Sequence, residues 1–165
     1  NADPARASIA QSNLLIPDAR YQEAYQLLEN INTEHAHYEE ALYLKANLQL
    51  AMDQHQQASQ LLLDYIKLQP RQFKARLQVA QSLIKLEQYE SAKSQLDIIL
   101  KAVPDQPFAN YLAAITALQA ENYTAAKEFV EQSHVVLLPI DPKETLTAFC
   151  NRVRLRGKSR QALPP

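Results

Sequence analysis

The sequence predicts an all-α fold, an α-solenoid of antiparallel helix pairs with about 3.5–4.5 repeats. Three observations predict it. The 165 residues include a single glycine, Gly157, and are 47% hydrophobic. Residues of matching type recur at a fixed 34-residue step, and prolines fall at the same step. Tight hairpin turns and phosphate-cradling loops need glycine where φ turns positive or the backbone nears a ligand. Nearly all of this chain does without it, and Ala, Leu, Gln, Glu and Lys favour helix.

The period is read in columns. Tyr21, His55, Tyr89 and Tyr123 stand 34 apart. Ala24, Ala58, Ala92 and Ala126 follow three residues later, and Leu28, Leu62, Leu96 and Val130 four after those. In each unit the aromatic residue or histidine stands at the turn or at the start of the second helix. The alanine lets two helices approach closely, and the large apolar residue on the same face fills the core. Pro70 and Pro104 are 34 apart and Pro139 follows one residue late; each ends a second helix and opens the next unit. The first helices repeat the logic with Ala46, Ala80 and Ala114, followed by Leu50, Ile84 and Leu118. One such pair cannot bury its apolar face alone, so neighbours must stack.

The expected units are 5–38, 39–72, 73–106 and 107–140, within a solenoid over 1–140. Unit one is expected to be the least regular, because Pro17 interrupts its first helix. Residues 141–154 are a candidate capping helix, with Asp141 as its cap and Pro142 in its first turn. Residues 155–165 read as a basic disordered tail. Arg152, Arg154, Arg156, Lys158 and Arg160 carry five positive charges; without them the net charge of −1 becomes −6.

This pattern resembles the tetratricopeptide repeat family over residues 5–139, which implies a right-handed solenoid with a concave face. The family usually has glycine at the second position of the helix-to-helix turn; here Asp53, Glu87 and Glu121 stand there. Within the family, Ala75-Arg76-Leu77, Tyr89-Glu90-Ser91-Ala92 and Pro107-Phe108-Ala109-Asn110-Tyr111-Leu112 resemble exported bacterial lipoproteins of exopolysaccharide and PEP-CTERM protein-sorting systems. That narrower resemblance implies the cell envelope or periplasm; the cytoplasm is the alternative.

The resemblance also implies a function: binding another protein or peptide along the first helices. By column, the groove would be lined by Tyr43, Asn47 and Leu50, by Leu77, Gln81 and Ile84, and by Tyr111, Ile115 and Leu118, with Phe108 widening the apolar patch. Leu50, Ile84 and Leu118 read equally well as core packing. Tyrosine offers apolar area and a hydroxyl, which suits a binding hot spot. A clamp for a terminal carboxylate needs buried positive charge. Tyr43 stands where such a clamp has lysine, although Asn47 matches its asparagine; Lys74 matches in type one unit on, but Gln78 is neutral. The groove therefore reads as apolar and amide-lined, suited to a helix or an extended apolar segment. Self-association as a homo-oligomer, or a non-catalytic part of a larger protein, are the alternatives.

Catalysis, cofactors and metals are not expected. One glycine leaves no G-x-G-x-x-G, P-loop or G-x-S-x-G motif. Cys150 is the only cysteine and reads as a buried helix residue. His35 and His37 lie close in an exposed loop, but a zinc site needs about three or four ligands. His55 reads as turn packing, and His134 as the end of a second helix. A net charge of −1 gives no reason to expect nucleic acid. No run approaches the ~18–20 apolar residues of a membrane span.

Overall fold

The computed structural model describes residues 3–133. Every regular element among them is a helix: α1 (Pro4–Leu15), α2 (Tyr21–Gln26), α3 (Tyr38–Ala51), α4 (His55–Leu68), α5 (Phe73–Lys85), α6 (Tyr89–Ala102), α7 (Pro107–Gln119) and α8 (Tyr123–Ser133). They fall into two compact units, Asn1–Glu87 and Gln88–Pro165. The expected cap at 141–154, the tail, Pro139, His134 and Cys150 lie outside the described residues.

In the first unit, Ala5 and Ile9 of α1 pack with Ala24, Leu28 and Ile31 and with Ala41 and Leu48 of α3. Farther along, α3 packs on α4 and α4 on α5. In the second unit α7 packs between α6 and α8. The columns are the core. Ala24, Ala58, Ala92 and Ala126 are buried, as are Leu28, Leu62, Leu96 and Val130. The small column begins one unit earlier than its alanines suggest. Ser12 precedes Ala46, Ala80 and Ala114 by the same step and is as buried as they are. Its hydroxyl donates to the Ala24 carbonyl at 3.0 Å, so a polar atom in a tight crossing is satisfied.

Local chemistry sets the helix ends. Asp3 caps α1 by accepting from the Ala5 N–H at 2.9 Å, with Pro4 at the first position. Gln106 caps α7 by accepting from the Ala109 N–H, again ahead of a proline. The helix-to-helix turns need left-handed backbone. Ala19, Asp53, Glu87 and Glu121 have φ of 56°, 56°, 59° and 57°. After three of them the next N–H reaches back to the fifth preceding carbonyl: Arg20 to Leu15, Gln54 to Gln49 and Asn122 to Ala117, at 2.9–3.2 Å. That ending ordinarily uses glycine, since a Cβ is crowded there.

Pro17 does not interrupt α1. The helix ends at Leu15, and Pro17 lies in the turn, where a missing N–H breaks no helical bond. The irregularity lies in the second helix. α2 has 6 residues where α4 and α6 have 14. The chain tightens into i→i+3 bonds at Leu28, Glu29 and Ile31. Asn32 then accepts from the Glu34 N–H at 3.1 Å, a local bond that competes with helix. The freed carbonyls of Glu29 and Ile31 accept from the Lys45 ammonium, whose pKa is lowered by its burial.

Candidate functional site

The first unit carries a closed polar circuit between its first helices α3 and α5. The Tyr43 hydroxyl donates to Gln78 Oε1 at 3.0 Å. Gln78 Nε2 donates to Asn47 Oδ1 at 2.7 Å. Asn47 Nδ2 donates to the Tyr43 carbonyl one turn back, at 2.8 Å. Tyr43 and Asn47 stand four apart on one face of α3, and Gln78 meets them from α5. All three are half-buried. Each amide still has an N–H and a lone pair to offer.

The Tyr43 ring lies against Tyr65 of α4, centroids 4.9 Å apart and planes tilted by 32°. This contact fixes the ring, so the hydroxyl points at Gln78. Burial, then the neighbouring Tyr43 and Glu39, raises the Tyr65 pKa, so its phenol stays neutral to higher pH. At the rim, Gln69 Nε2 donates to Glu39 Oε2 at 2.7 Å. Leu77 is half-buried beside Gln78, and Gln81, one turn farther on, is exposed. Leu50 and Ile84 are half-buried, between the core and lining readings.

The second unit carries a different surface in the same register. Phe108 and Tyr111 of α7 stack with centroids 6.0 Å apart and planes 28° from parallel. Phe108 remains 38% exposed, while Tyr111, Ile115 and Leu118 are half-buried. Asn110, fully buried between them in sequence, donates to the carbonyls of Pro104 at 2.8 Å and Gln106 at 3.1 Å. It ties the entering loop to the first turn of α7 and so fixes where the two rings emerge.

Two participants were not singled out as lining residues by sequence. In the sequence Gln78 reads only as a neutral residue where a clamp would need charge; in the structure it joins α3 to α5. Tyr65 sits on a second helix, outside the lining columns. The available signal was Tyr43 itself, whose half-buried hydroxyl needs a partner within reach. The histidines part company. His35 Nδ1 is 2.9 Å from Asn32 Oδ1, whereas His37 lies 3.6 Å from Asp3 and 3.4 Å from Glu40. Both are half-buried rather than exposed. Among the described residues no group of three or more His, Cys, Asp or Glu could hold a metal ion, and no helix is long and apolar enough to cross a membrane.

Comparison with known proteins adds the family. The family model described as "Anaphase-promoting complex, cyclosome, subunit 3" matches residues 17–99, half of the chain. No curated protein sequence matches significantly. MamA from Desulfovibrio magneticus RS-1 is similar in structure, with a TM-score of 0.76 and 21% identity over 97% of this chain and 89% of that one. YrrB, described as a TPR protein with an unusual peptide-binding site, gives 0.69 and 20% over 96% and 76%. Pseudomonas aeruginosa pilF gives 0.65 and 19% over 97% and 68%. At these identities the likeness shows the fold. It is an all-helical tetratricopeptide-type fold. The chain belongs to the tetratricopeptide-type repeat family that the subunit 3 model describes.

Proposed function

We propose that this chain is a protein-interaction module that holds a helical or extended apolar segment of another protein against its first helices. The observation that carries this is the Tyr43–Gln78–Asn47 circuit. It fixes half-buried side chains in place before any partner arrives, which lowers the ordering cost of binding. The spare amide N–H and lone pair suit a peptide main chain, and Leu77 supplies apolar contact beside them. The same register in the second unit offers the Phe108–Tyr111 stack, aromatic area of the kind that dominates binding energy. No positively charged side chain belongs to the circuit, which favours a neutral segment over a terminal carboxylate.

The setting we propose is a bacterial envelope export or polysaccharide-assembly system. It rests on the Ala75–Leu77, Tyr89–Ala92 and Pro107–Leu112 resemblances. Fractionation of the source cells tests it, and recovery of the chain with cytoplasmic proteins would remove it.

Binding is tested by selecting displayed peptides, both amphipathic helices and extended apolar segments, on the wild-type chain. The selected peptides are then measured against Leu77→Glu and Tyr111→Glu, with circular dichroism as the fold control. Folded variants that lose at least about tenfold in affinity, the scale of one buried anchor, support the reading. Undiminished binding by both folded variants overturns it.

A further inference from the structure

One lysine is placed unlike the rest. Lys45 of α3 is half-buried, whereas every other described lysine is exposed. Lys67 and Lys127 reach carboxylates on their own helices, Asp64 and Glu131. Lys45 pairs with no carboxylate among the described residues. Its Nζ donates instead to the main-chain carbonyls of Glu29 at 3.4 Å and Ile31 at 3.2 Å. An ammonium drawn out of water needs a charge partner, and two neutral carbonyls replace one poorly. Burial therefore lowers the Lys45 pKa, against the opposing field of Glu29. The same two acceptors suit the neutral amine. Its two N–H groups can meet both carbonyls, which leaves the lone pair on the side away from them. A desolvated lysine held in this way is a nucleophile.

We propose that Lys45 is an acylation site for small acyl thioesters, and that its acylation loosens the segment after α2. The amine lone pair attacks the thioester carbonyl carbon. A C–N bond forms, the C–S bond breaks, and the departing thiolate takes the proton that the nitrogen gives up. The amide product is uncharged and keeps a single N–H, so it can serve only one of the two carbonyls. The segment is sensitive to that loss. α2 has only 6 residues, and the chain after it rests on the i→i+3 bonds of Leu28, Glu29 and Ile31. Leu28 and Ile31 still hold it to the core, so the change is a local opening and not unfolding. None of these residues belongs to the Tyr43–Gln78–Asn47 circuit, and the proposal stands apart from the groove.

Acetyl-coenzyme A is the probe, with the modification of each lysine followed by mass spectrometry. At about pH 7.5, Lys45 of the folded chain is expected to react at least about threefold faster than any exposed lysine. That lead should shrink as pH nears the ordinary lysine value of about 10.4, where the exposed amines also lose their protons. Unfolding in urea should abolish it. Hydrogen exchange reads the consequence. The Glu29 and Ile31 amides of the acylated chain, and of Lys45→Met, should exchange at least about threefold faster than in wild type. Lys45→Arg, which keeps its donors and takes no acyl group, should exchange at the wild-type rate. A Lys45 that reacts no faster than the exposed lysines overturns the proposal. So does a lead that survives unfolding, or an acylated chain whose Glu29 and Ile31 amides exchange as in wild type.

Discussion

The two units solve one positional problem in different ways. On α3 of the first unit, the lining register is occupied by Tyr43 and Asn47, which spend much of their hydrogen-bonding capacity on each other and on Gln78 of α5, just outside that register. On α7 of the second unit, the register is occupied by Phe108, Tyr111 and Ile115, and the Tyr111 hydroxyl makes no bond to any described residue. The first surface is rigid and directional, and the second is aromatic and less directional. The columns that build the core are nearly identical in both. The repeat thus separates two jobs: the core residues fix the helices, and the lining residues vary without disturbing them.

The core half of that comparison carries the largest effect. Leu62→Ala in the first unit and Leu96→Ala in the second each remove a fully buried side chain. Each is expected to cost about 2–5 kcal/mol in denaturant unfolding, and similar losses would show that the two cores are equivalent. The lining half should differ. Gln78→Leu strands the Tyr43 hydroxyl and an Asn47 acceptor, at an expected cost of about 1–2 kcal/mol. Tyr111→Phe, in the second unit, should stay within about 0.5 kcal/mol of wild type. Equal effects from this pair would erase the distinction between the two surfaces.

The turns are common to both units and should respond alike. Glu87→Gly and Glu121→Gly relieve left-handed backbone at a crowded Cβ. Each should stabilise by up to about 1 kcal/mol, read as a rise in the unfolding midpoint. The smallest effect concerns pH. The Tyr65 pKa is raised in the folded chain. The stability this represents is present below the ordinary tyrosine value of about 10 and is lost as pH climbs through the folded value. Tyr65→Phe should therefore unfold less steeply with pH above about 10 than wild type does.

The fold was legible because repeat cores are written in residue size. Four alanines and four large apolar residues at one step need no partner identified across space. The departure of Asp53, Glu87 and Glu121 from glycine was legible for the same reason, and all three adopt positive φ. Ser12 was missed because the small column was read as alanine, although its hydroxyl fits by donating to Ala24. Pro17 was misread because proline both breaks and ends helices, and sequence alone does not say which. The Phe108–Tyr111 contact follows from i,i+3 spacing. The Gln78 and Tyr65 contacts do not, since they depend on how α3 meets α5 and α4. Lining surfaces are set by contacts between helices, which periodicity does not encode.

The central claim is that a partner lies along the first helices. A photo-crosslinking residue placed at exposed Gln81 of α5, and in parallel at exposed Gln60 of α4, tests it with a peptide selected on the wild-type chain. Cross-linking from position 81 and none from position 60 is the expected result. Cross-linking from position 60 and none from 81 would put the partner on the second helices and contradict the account.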